Sequence, residues 1–128
     1  PMSDNPMKIL VVEPIKQPYI QEIDGSLESM QKLVGGAIEA IYPFDDAVAL
    51  ICNDEGKLLN LPYNRFLYDE QKQPYDVICG TFFVVGLGKD NFKSLTIQQI
   101  RTYSDMYSRE FILPVPRKEQ HDKHDKER

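Results

Sequence analysis

Three almost unbroken apolar stretches limit what this chain can become: Ile9 to Val12 in "MKILVVEP", Ala47 to Cys52 in "DAVALICND", and the long run in "DVICGTFFVVG". A strand with one wet face alternates apolar and polar residues, whereas a continuous run reads as a strand covered on both faces. A sheet whose central strands need cover on both sides is therefore the core expectation. None of the runs is long enough to span a bilayer, and no charged-then-apolar leader precedes them, so neither a membrane segment nor a signal peptide is expected. A chain of 128 residues with 41% apolar content suits one domain with its own core.

Around those runs the chain reads in order. "PIKQP" is a turn, because two prolines interrupt any ladder, and "YIQEI" then returns as an edge strand, forming an opening hairpin. "DGSLESMQKLVGG" is a helix with Ser26 or Asp24 as N-cap, Leu27, Met30, Leu33 and Val34 on one face, and Gly35–Gly36 as a left-handed stop. "AIEAIYPF" is a strand joined to the Ala47–Cys52 run around Pro43–Asp46. Gly56 in "NDEGK" is assigned a positive φ in a hairpin turn, with "KLLNL" as a short returning strand. "LPYNRFLYDE", residues 61 to 70, follows as a loop, and "DEQKQPYD" as another. Gly80 marks a bulge or a close backbone approach within one long strand. Thr96 and Gln99 form a capping box, Leu95 staples to Ile100, and Tyr103 and Tyr107 continue the packed face of a second helix ending near Arg109. The expected fold is α+β: a mixed, largely antiparallel sheet with two helices and a β-grasp-like opening hairpin and helix. Residues 1–6 are expected to be an expression scar or flexible start, 7–113 the domain, and 114–128 a disordered charged tail.

Charge and chemistry narrow the function. The formal charge is −5, and the tail "RKEQHDKHDKER" holds five Lys or Arg against four Asp or Glu, which leaves −6 for the rest. That balance disfavours a sequence-independent nucleic-acid binder, which needs a basic face. Both histidines, His121 and His124, fall in the tail, which argues against histidine-dependent nucleophilic catalysis in the body. The acid pairs Asp45–Asp46, Asp54–Glu55 and Asp69–Glu70 sit beside turn signals, where carboxylates cap backbone amides. Cys52 and Cys79 lie inside apolar runs and read as buried free thiols of a reducing, cytoplasmic compartment. No Walker or Rossmann glycine spacing occurs, and there are only two histidines and no close cysteine pair, so no cofactor and no metal is expected.

The candidate binding residues are Asn60, Tyr63, Asn64 and Arg65, with Gly80 and Thr81. They offer amides, a phenol and a planar guanidinium fork next to Pro62, which stiffens the backbone. The alternative is structural: Asn64 caps a turn, Arg65 pairs with Asp69, and the tyrosines pack on the sheet.

The series "MKILVVEP", "IDGSLESMQKLVGGAIEAI", "ALICNDEGKLLNLPYNR", "YDVICGTFFVVG" and "SLTIQQIRTYS" resembles domain-of-unknown-function family 3846. The likeness implies a setting in phages, plasmids and integrative elements, and it brings no catalytic residues. By analogy with accessory proteins of such elements, the expected function is non-enzymatic binding, with antagonism of a host defence protein as its purpose. The second class is a small-ligand module, such as a signalling-nucleotide sponge, with Arg65 on phosphate and Tyr63 on a base; an enzyme is third. An exposed apolar patch beside the loop favours a host protein as partner. A concavity of roughly 300 Å3 or more containing Arg65 favours a small anionic ligand. An edge strand could also pair two copies, unless its prolines protect it.

Overall fold

The computed structural model describes residues 6–114. The readings for the charged tail, its histidines and most of the N-terminal start lie outside them. Ten elements follow in order: β1 (Met7–Val12), β2 (Tyr19–Ile23), α1 (Leu27–Val34), β3 (Ile38–Ile41), β4 (Val48–Asn53), β5 (Tyr63–Tyr68), β6 (Pro74–Cys79), β7 (Phe82–Leu87), β8 (Phe92–Lys93) and α2 (Ile97–Tyr107). The fold is α+β.

One sheet has the order β2-β1-β7-β4-β3, and β8 pairs with the end of β7 that β1 leaves free. β5 and β6 form a separate hairpin. All the strand pairings among the described residues are antiparallel, so the sheet is simpler than the mixed one expected. The opening β1–β2 hairpin and its following helix are present.

The apolar runs are continuous because both faces of this sheet are covered. On one face Ile9, Val11, Ile51, Phe83 and Val85 meet Met30 and Val34 of α1. On the other, Leu10, Val12, Val48, Leu50, Phe82 and Val84 meet Tyr103 and Tyr107 of α2 and Leu67 and Ile78 of the hairpin. The result is three layers, with α1 on one side and α2 beside the β5–β6 hairpin on the other. Successive side chains of β1, β4 and β7 thus enter alternate cores, and each large apolar one among them contributes about 1.5–3 kcal/mol on burial.

The helix signals act as read. The Ser26 hydroxyl accepts from Ser29 N–H, Asp24 accepts from Ser26 N–H, and Gly35 closes α1 at φ 84°. Thr96 and Gln99 complete the capping box of α2. Leu27 departs from its expected place and is exposed.

Five expectations are corrected. "LPYNRFLYDE" is largely a strand, β5, not a loop. "KLLNL" forms turns rather than a strand. "DEQKQPYD" turns over Asp69–Gln73 and then enters β6. "DVICGTFFVVG" is two strands in two different sheets, broken at Gly80 (φ 87°). A Cβ at Gly80 would lie 2.7 Å from Leu61 Cδ1, so this glycine serves both the backbone angle and the close approach. Gly56 is also corrected: its φ is not positive, and its need for glycine is spatial, since a Cβ there would sit 2.6 Å from the Cys79 carbonyl oxygen. The left-handed residue of that turn is Asn60, at φ 57°.

Candidate functional site

Strand β5 separates the residues that the sequence groups together. Its exposed positions are Tyr63, Phe66 and Tyr68, and its buried ones are Asn64, Arg65 and Leu67. Two consecutive buried polar residues fit because the β5–β6 register shifts between Tyr63 and Arg65, and such a bulge re-aims side chains.

Asn64 is fully buried and donates both amide hydrogens, to the carbonyls of Val12 and Gly80, each at 2.9 Å. It ties β1 to the break between β6 and β7 rather than capping a turn. Arg65, 2% exposed, donates to the Asn64 carbonyl and Oδ1, to Lys16 O at 2.9 Å, and to Tyr107 O at 2.7 Å. The Tyr107 carbonyl belongs to the last turn of α2, where the helix dipole favours a cation. The Phe111 ring lies over the guanidinium, 4.6 Å from centroid to Cζ. Arg65 Nε is sealed from solvent with no acceptor among the described residues, and burial pulls the guanidinium's pKa down. Asp69, the partner expected for Arg65, instead accepts from the backbone N–H groups of Gln71 and Gln73.

Asn60 and exposed Tyr63 border a shallow apolar cleft with Leu61, Pro62, Ile112 and Leu113. Gly80 is buried in the fold and Thr81 half-buried. The six candidates therefore do not form one site.

A larger concavity, of about 990 Å3, is also lined by the hairpin and shares Phe66 with the first. The nearly buried Arg65 is among its lining residues. Its walls are aromatic: Tyr42 and Phe44 from the β3–β4 connection, Phe66, Tyr68 and Tyr75 from the hairpin, and Tyr107 from α2. Carboxylates of Asp45, Asp69, Glu70 and Glu110 also line it, against Lys72 and the buried Arg65. The Tyr68 hydroxyl donates to Glu110, 2.7 Å from the nearer oxygen. Partial burial and this bond push the tyrosine's pKa up to about 12. The ring cluster escaped the sequence reading because its members come from three separate segments. Aromatic residues flanking "YPFDD" and "QPYD" turns were the available signal.

Elsewhere, hydrogen bonds shift three carboxylates downward. The Tyr103 hydroxyl holds Asp46 below the usual carboxylate range, Lys57 does the same for Asp76, and Tyr19 for Glu13. Cys52 and Cys79 are free, buried thiols that burial pushes upward, Cys52 to about 11. No group of three or more metal-ligating side chains occurs among the described residues, and no described helix is long and apolar enough to cross a membrane.

A family model for a domain of unknown function (DUF3846) matches residues 7–108, and the chain belongs to that family. No curated protein and no solved structure matches.

Proposed function

We propose that this chain is a non-enzymatic binding protein of a phage or other mobile element, an antagonist of a host defence protein, which engages its partner through the aromatic cleft. The observation that carries this reading is the exposure of the rings: Tyr42 at 61%, Tyr75 at 58%, Phe66 at 40% and Tyr68 at 37%. Large rings left in water lower stability and solubility. Gathered round one concavity, they supply the rigid contact area that dominates the centres of protein interfaces.

A small anionic ligand is the second reading, favoured by the cleft's volume and by Arg65 among its lining residues. The chemistry weighs the other way. Arg65 spends its terminal nitrogens on carbonyls of its own chain, and the acid-rich lining repels phosphate.

The test is affinity capture from host-bacterium lysate, with native mass spectrometry of the eluate, using the wild type, Tyr42→Ser/Tyr75→Ser, and Tyr63→Ser outside the cleft. The expected result is a protein retained by the wild type and Tyr63→Ser and lost from the double variant. A small added mass on the wild type in place of a protein would transfer the assignment to the ligand module. Retention of the same protein by all three chains would remove the cleft from the reading.

A further inference from the structure

We propose that the aromatic cleft receives a basic peptide segment of a protein partner, with Lys or Arg side chains lying against its rings and facing its carboxylates. This rests on the binding reading above and gives the partner a chemistry.

Two independent features agree. Exposed Tyr42, Phe66 and Tyr75 offer ring faces, which attract ammonium and guanidinium groups held over them. Asp45 and Glu70 are exposed at the same cleft, where a cation against a ring also gains a charge-assisted bond. Lys72 is the one exposed cation in the lining. Rings alone would accept any apolar segment, and acids alone would remain solvated; together they select a cation carried on an apolar stem, which describes both Lys and Arg.

The binding reading makes that carrier a protein segment, and a concavity of about 990 Å3 has room for several of its residues. The chain's net charge of −5 adds long-range attraction for such a partner.

The probe is a random twelve-residue peptide library selected on the full chain, followed by calorimetric titration of the enriched peptide. Lys or Arg should dominate the enriched sequences. Asp45→Lys/Glu70→Lys should weaken the selected peptide by about tenfold or more, the loss of a ring-assisted cation contact. Glu22→Lys/Glu28→Lys, on β2 and α1, makes the same change in net charge away from the cleft and should leave affinity within about twofold. Equal weakening in both variants would reduce the effect to overall charge and overturn the site. So would enriched peptides without basic residues, or no enrichment. Spermine binding as tightly as the peptide would overturn the peptide occupant. None of these failures touches the lysate capture, where the ring variant still decides the broader reading.

Discussion

All six residues of β4, Val48 to Asn53, are buried, and five of them are apolar. In β5, also of six residues, Tyr63, Phe66 and Tyr68 face solvent while Asn64 and Arg65 are sealed inside. The main sheet keeps its polar side chains at its margins and its hydrophobic ones between two covered faces. The hairpin does the reverse with much of its sequence. Its apolar anchors in the core are few, chiefly Leu67 and Ile78, so its seat depends on directional bonds from Asn64 and Arg65 to β1, the β1–β2 turn and α2. Apolar contact is tolerant of small displacements, whereas a buried guanidinium donating to three separate carbonyls is not. The hairpin is thereby fixed in place while its outer residues remain available, which a rigid binding surface requires.

The comparison breaks most readily at the two cores. Phe82→Ala removes a fully buried ring that packs edge-on to Tyr107, and should cost about 3–5 kcal/mol in urea unfolding. It should lower protection from amide exchange across the whole molecule; a loss confined to one segment would show that the sheet is not a single cooperative unit. Arg65→Ala should cost about 3 kcal/mol, because carbonyls of three segments lose a charged donor. Exchange should quicken first in β5, β6 and the end of α2. Arg65→Lys should recover less than half, lacking the planar fork. If the Ala variant loses under about 1 kcal/mol, the hairpin is held by packing after all.

Tyr68→Phe is the smallest test. The tyrosine's raised pKa means that its contribution is complete below the unfolded value near 10 and is lost as pH rises through about 12. The wild-type hairpin should exchange faster as pH climbs through that window, relative to the intrinsic rate, and the variant should show a shallower rise. Identical profiles would remove the Tyr68–Glu110 contact from the hairpin's support.

Where residue type and burial agreed, the fold was legible. The doubly covered strands β1 and β4 and the caps at Ser26, Gly35 and Thr96 follow from local chemistry alone. The hairpin was not legible, for a related reason. Asn and Arg usually face water, so "YNR" resembles a loop, and the register shift beside it erases the alternation that marks a strand. The apolar run across Gly80 hides a change of sheet, because hydrophobicity on either side is equal and only the glycine's backbone angle marks the corner. The candidate site was legible only in part: Arg65 lies at the cleft, but the surrounding rings meet there through tertiary structure.

The position of β7 has a temporal consequence. It lies between β1 and β4, pairing Val84 with Leu10 on one side and with Leu50 on the other. Until residues 82 to 87 have emerged during synthesis, the earlier strands of the main sheet can form only two separate hairpins, β1–β2 and β3–β4, each with an open edge. Closure between them waits on distant contacts, which slows folding and exposes apolar edges in the interval. A nascent chain stopped before Phe82 would therefore carry two sticky half-sheets, and one extended past Leu87 could join them.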